Sequence, residues 1–424
     1  MFWLKLKAGA LQLTLFIAVV IALILAGFIL LVHTHKRFNI QTDFIIQTSQ
    51  NTNRGINQVL INSSALNDTV SIDLEEDFKS LKVYREYWGI FEKVTSVAKI
   101  KSNTLKRVAL IGAIQPENNR TALYVQDNNK PLVVVGSTKI EGAAYLSNLG
   151  VKPGTISGQS YYGSQLIYGG IKKAYDLPKI SNEIITQLAI ITKTFVQLEA
   201  SQFLTLEDGK MFTNSFLKPK QLAFSNSKIR LSNIIVIGNV VIKSKTKIVV
   251  AASARLKDVI LIAPEIIIED SVKGNFQAIA TIKINVGKNV LLDYPSALVL
   301  NEKEIQQNGN LSASLKESKI LIDNGSTVKG LVVFLSEEKS NNYNPQIEIK
   351  QKATVIGEVY CTENIELKGS VYGSVFTNNF IAKQSGSIYQ NHIYNGTILV
   401  NQLPKEYVGL SFSNSKKGVL KWLY

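Results

Sequence analysis

The sequence predicts a mainly β protein: one N-terminal transmembrane helix, then a β-solenoid interrupted by an inserted α-helix. Three observations predict it. An uncharged apolar run fills Ala8 to Val32. A short apolar phrase with a central glycine recurs along the chain, twice between Ile347 and Val375. Between copies, Ser181–Phe203 switches to helical spacing. The 424 residues are 46% apolar and only 19% charged, enough apolar material for a large core and too little charge for a disordered chain.

Residues 1–37 read as a cytoplasmic tail and anchor. About 25 helical residues extend about 37 Å, against a hydrocarbon core of about 30 Å. A secretory signal has a shorter apolar stretch ending at a small-residue cleavage site. Here Ala26-Gly27 is followed by more apolar residues, so the run reads as an uncleaved anchor. Lys5 and Lys7 precede the span, and Lys36 and Arg37 follow it, so the flanking charges nearly balance. The short leader places the N-terminus inside, and the expected location is the bacterial inner membrane, single-pass, with a periplasmic C-terminal part. Residues 38–113 read as a polar stalk, or a continuation of the helix, followed by strands such as "LKVYREYWGIF" and "RVALIGAI".

The phrase is φ-x-φ, three to five residues, then φ-x-Gly-x-φ, with φ apolar. It occurs at Ile347/Ile349 with Val355-x-Gly357-x-Val359, and at Ile365/Leu367 with Val371-x-Gly373-x-Val375. Further copies begin at Leu132, Ile229, Ile266 and Ile320, and Ile156-x-Gly158 reads as a degenerate one. Alternate residues of a strand share a face, so each phrase is two short strands around a turn. One such coil cannot bury its apolar face alone, whereas stacked coils pair in parallel and share a core. An antiparallel meander would also give short strands, with hairpins at sites such as Asn324-Gly325. Near-identical phrases on a short period favour coils. The reading divides the chain into a first solenoid part, 114–180, an inserted helix and connecting loop, 181–222, and a main solenoid, 223–410. A basic aromatic tail, 411–424, would cap the last coil. Cys361 shares parity with Val355, Gly357 and Val359 and is expected in the core as a small hydrophobe.

The text "IEIKQKATVIGEVYCTENIELKGSVYGSV" resembles the coils of bactofilins, polymer-forming cytoskeletal proteins. The resemblance lies toward the C-terminal end and rests on Ile347, Ile349, Val355, Gly357, Val359, Ile365, Leu367, Val371, Gly373 and Val375. It implies right-handed windings, a parallel β-helix, and self-association into filaments. Unlike bactofilins, this chain is long and begins with an apolar span. The leader and first apolar helix, as far as Val32, resemble type IV pilins and pseudopilins. Pilins carry a Glu five residues into the mature helix. After cleavage at Gly9 that position would be Thr14.

Signs of chemistry are sparse. His33, His35 and His392 are the only histidines, and "GQSYYG" at Gly158–Gly163 departs from a nucleophile elbow. No phosphate loop or dinucleotide fingerprint is present. Glu265, Glu269 and Asp270 cluster, but strand alternation points Glu265 and Glu269 outward. No catalytic, cofactor-binding or metal-binding residue is therefore assigned, no cofactor is expected, and the protein reads as a non-enzyme. Tyr161, Tyr162 and Tyr168 are expected to pack under the inserted helix. The net charge of +15 is spread without basic runs. The expected partners are inner-membrane lipid around residues 8–32, other envelope proteins and copies of the chain itself. Glycan and DNA stay open. The expected role is a membrane-anchored scaffold of the bacterial cell envelope. The alternatives are an anchored glycan-binding or glycan-cleaving β-helix and a minor pilin-like subunit.

Overall fold

The computed structural model describes residues 8–423 other than 63–64, 117, 119, 194–198, 303–317, 338–342 and 414. The fold is mainly β, with one long N-terminal helix. That helix, α1, runs from Ala8 to Ile61 without a break, so the polar stretch after residue 38 continues it as far as Ile61. At 1.5 Å per residue its 54 residues extend about 81 Å. Its first half is apolar and bare: Leu11, Phe16, Leu23 and Leu30 are each more than 60% exposed. It is long and apolar enough to cross a membrane.

The chain forms two compact units, one of Met1–Gln58, Thr69–Val83 and Ser96–Lys106, the other of Val59–Asp68, Tyr84–Thr95 and Arg107–Tyr424. Three strands run through both: β1 (Lys79–Trp88), β2 (Phe91–Ile100) and β3 (Asn103–Ile114), neighbours in one sheet and joined by two-residue turns. In the first unit, Thr48 and Thr52 of α1 are buried, and Phe44 meets the Phe78 ring at 6.3 Å. The Lys101 ammonium lies 4.8 Å from the first ring and 5.4 Å from the second.

The second unit is built from parallel ladders. Its long strands are β4 (Ile235–Ser244), β5 (Arg255–Ile268), β6 (Lys273–Val286), β7 (Leu291–Asn301), β8 (Thr327–Leu335), β9 (Thr354–Leu367) and β10 (Ser370–Gln384). The repeated phrases pair residue for residue. Ile229, Ile248, Ile266, Ile284, Ile320, Ile347, Ile365 and Phe380 form one column of neighbours. From Ile248 to Phe380 every member of that column is fully buried. Val328, Val355 and Val371 form a second column, and Val332, Val359 and Val375 a third. Together the ladders link into one closed circuit of strands.

The phrase's glycine has a steric cause. Gly330, Gly357 and Gly373 are in register, with φ of +134°, +147° and +152°. A Cβ on Gly357 would strike the Gly330 carbonyl oxygen, and one on Gly373 the Gly357 oxygen. Only glycine takes that conformation at that spacing. Asn324-Gly325 lies at a corner between parallel segments, not in a hairpin.

Spatial order departs from chain order. Thr121–Val125 pairs with β10 through Leu123 and Val375, and Lys139–Glu141 pairs with Thr397–Leu399. Leu132–Val135 pairs with His392–Tyr394. Ala143–Leu146 and then Ile171–Lys173 follow outward. The early phrases therefore extend the ladder beyond its latest ones.

Four local expectations are corrected. The expected loop within 205–222 contains strands at Met211–Asn214 and Gln221–Ser225, which pair in parallel with β4; these short polar-apolar stretches gain stability from a neighbour rather than from their own pattern. Ile156-x-Gly158 is not a coil but a two-residue hairpin, with Ser157 and Gly158 both at positive φ. The inserted helix, α2, is Asn182–Lys193; Phe195 and Leu198 of the expected span lie outside the described residues. The C-terminal tail does not cap a coil. Lys417–Leu423 is β11, antiparallel to the Val108–Ala113 part of β3, whose free edge it covers.

Two cores result. One lies inside the ladders and includes the isoleucine column and Cys361. The other lies on one outer face, where Ile260, Ile262, Val299, Leu331, Val333 and Tyr360 are covered by Tyr87, Trp88, Ile184, Leu188 and Leu410. That cover explains strands that are apolar on both faces.

Candidate functional site

The residues singled out for chemistry do not converge. Glu265 pairs with Lys247 at 2.8 Å, and Glu269 takes a two-pronged grip from Arg230 at 2.6 and 3.0 Å. Asp270 accepts the Lys288 backbone N–H at 2.7 Å. Glu265 and Glu269 are partly exposed, as strand alternation requires, and each is held by its own cation. Cys361 is buried, and burial holds its thiol well above the usual range. His392 sits beside the Gln390 carbonyl at 2.5 Å, and burial lowers its pKa. The tyrosine run is not under α2. Tyr161 packs on the ladder core, Tyr162 is exposed, and the Tyr168 hydroxyl bonds Ser164 at 3.1 Å. The helix instead buries Ile184 and Leu188 in the outer-face core.

The most site-like arrangement lies on that covered face. It starts at the turn between β1 and β2. Gln277 of β6, itself buried, donates to the Trp88 carbonyl at 2.8 Å and accepts the Ile90 N–H at 2.9 Å. Gly89 between them has φ +66°, and a Cβ there would run into the Gln277 amide. The turn presents Trp88, which meets Phe216 edge-on at 5.3 Å.

Beside Trp88 is a cavity of about 80 Å³. Its apolar wall is Leu222, Val241, Ile260 and Ile262; Gln187 and Ile191 of α2 close another side. Lys93, Lys220 and Lys243 reach it, against one carboxylate, Glu86. Lys93 pairs with Glu86 at 2.6 Å and lies 5.8 Å from the Trp88 ring centre. Lys243 donates to the Ile191 carbonyl at 3.0 Å. Lys220 is partly buried, and burial pushes its pKa down.

A buried ionic network sits on the same β1–β2 hairpin. Arg85, 2% exposed, bonds Glu92 at 2.8 Å and ion-pairs with Glu183 of α2. Lys417 of β11 reaches Glu92 at 2.9 Å, and Tyr87 donates to Glu183 at 3.2 Å. Burial opposes the Arg85 charge, but bonds and attraction from Glu92 and Glu183 outweigh it and raise its pKa. A second clasp holds the passage before β11. Glu358 of β9, 1% exposed, accepts the Leu410 N–H at 2.5 Å and a bond from Gln115. Burial raises its carboxyl to about 7, against those two bonds and the attraction of Arg120. Arg120 itself donates to the Leu403 and Pro404 carbonyls at 3.0 and 2.8 Å.

None of Arg85, Gln277, Lys220 or Glu358 was singled out from sequence. The nearest signal was Glu358: a carboxylate inside an otherwise apolar repeat phrase.

No protein-family model matches the chain, and no curated protein matches it. The bactofilin resemblance therefore rests on the repeated phrases alone. Among solved structures, the competence-associated pilin ComZ from Thermus thermophilus is similar at 11% identity and a TM-score of 0.26. The overlap covers 85% of this chain and 86% of that one. A likeness of that degree decides neither fold nor function.

Proposed function

We propose that the protein is a non-enzymatic structural subunit of the bacterial cell envelope, anchored in the inner membrane by α1, with a β-solenoid as its periplasmic body. The observation that carries this reading is the isoleucine column, in which parallel neighbours such as Ile347 and Ile365 are 18 residues apart in sequence. A surface built by repetition offers the same spacing, about 4.8 Å per layer, along its whole length. The bare apolar half of α1 supports the anchor, because such a surface is stable in lipid and not in water.

Two measurements test it. Lys283 and Lys319 are register partners on a partly exposed column. With Cys361→Ser as background, Lys283→Cys with Lys319→Cys should form a disulfide on mild oxidation, because adjacent layers bring Cα atoms within bridging range. Failure of that pair to close would sink the solenoid. Separately, the full chain should stay in the membrane pellet after alkaline carbonate and lose it on deletion of residues 9–32. Loss of cellular function in a folded Glu265→Gln, Glu269→Gln protein would favour the glycan-cleaving alternative instead.

A second reading, the pilin-like subunit, is favoured by the unbroken α1, whose exposed apolar half suits packing among helices of other copies as well as lipid. A mature N-terminus at Ala10, read by mass spectrometry, would support it over a permanent anchor.

A further inference from the structure

We propose that the cavity between Trp88, α2 and the outer ladder face binds a carboxylate carried on a short apolar stem. Among the described lining residues, the carboxylate of Glu86 is taken by Lys93 at 2.6 Å, so it is Lys220 whose charge an incoming anion would meet. The Lys220 ammonium is partly buried and makes no hydrogen bond or ion pair to a described residue. A cation withdrawn from water without a partner is costly, and an incoming anion removes that cost.

Size and lining narrow the anion. The 80 Å³ of the cavity is several times the roughly 10–15 Å³ that one water needs, so a carboxylate with a few methylenes fits. Leu222, Val241 and Ile262 suit the methylenes, and Gln187 and Gln221 add polar groups to the lining. A phosphate would bring more charge and no apolar portion, and no arginine is among the described residues that line the cavity. The carboxylate has two sources: a small free acid, or an acidic side chain of a bound peptide. The proposal stands apart from the scaffold reading and needs neither the membrane nor the solenoid.

The test uses the full chain in detergent micelles with Trp3→Phe and Trp422→Phe, so that Trp88 alone reports. Its emission is titrated with butyrate, with the peptide N-acetyl-Leu-Glu-Leu-amide, and with their neutral counterparts, butyramide and the Leu-Gln-Leu peptide. We expect a saturable change with an acidic probe, at least about tenfold weaker for its neutral counterpart and in Lys220→Met, and retained in Lys220→Arg. Butyrate binding would identify a small-acid site; binding of the acidic peptide alone would identify a peptide site. Either supports the proposal. No saturable change with either acid, equal binding of the neutral probes, or undiminished binding in a Lys220→Met protein that melts like the parent would overturn it.

Discussion

Glu358 shows how one side chain couples the ladder to pH. Its folded carboxyl titrates at about 7, against 4.5 for an ordinary glutamate, so the native state binds its proton more tightly than the unfolded chain does. Its contribution to stability is therefore complete in acid and lost as pH climbs from about 4.5 through 7. The full loss is about 3 kcal/mol. Glu358→Gln removes the ionisation and still offers Leu410 an acceptor. We expect the variant to exceed the parent in stability at pH 8 and to match it near pH 5, measured by denaturant unfolding at both values. Cys361 is a second residue-scale case. Its buried thiol should react with N-ethylmaleimide at least about 100-fold more slowly in the native protein than in urea. Its burial was legible, because strand parity with Val355 and Val359 fixes its face. The charge at Glu358 was not: the same parity places it on the outer face, and nothing local says that Leu410 and Gln115 cover that face.

Among the elements, α2 and β11 are tied to the β1–β2 hairpin by the same ions. Arg85 is buried and Glu92 nearly so, whereas the Glu183 side chain is 45% exposed. Removing the arginine leaves the buried Glu92 with Lys417 as its one remaining ion-pair partner among the described residues, and Arg85→Met should cost about 3 kcal/mol. Glu183→Gln removes a half-solvated partner and should cost less than about 1 kcal/mol. Denaturant unfolding of both single variants and the double variant checks the order; a larger loss for Glu183→Gln would contradict it. At the phrase glycine, Gly357→Ala forces a Cβ toward the Gly330 oxygen at φ +147° and should cost about 1–3 kcal/mol by the same measurement. The strand-turn-strand phrases were legible because their period of two is local. The strands at Met211–Asn214 and Gln221–Ser225 were missed because β4 supplies their stability. The fate of the tail was missed because its partner, β3, lies near the other end of the chain.

At the scale of the whole molecule, the phrase beginning at Leu132 was legible as a pair of strands but its position was not. Reading in order would place it first; pairing with His392–Tyr394 places it after the last of the late phrases. Contacts between segments so far apart in the chain are entropically slow to form. A chain ending at residue 369 lacks the C-terminal partners of Thr121–Val125, Leu132–Val135 and Lys139–Glu141. Trypsin should cut it rapidly at Arg120 and Lys139 and spare those sites in the full protein; equal protection would show that the early segment is stable alone.

That arrangement bears on how the protein is made. A ribosome that has reached residue 369 has produced early apolar strands whose C-terminal partners do not yet exist. Until residues 370–399 emerge, Leu123, Val134 and Ile140 have neighbours on one side only, such as Ala144, Pro153 and Tyr168, and the other side is open. Synthesis, rather than the finished molecule, is then the stage at which this protein is most exposed to misassociation.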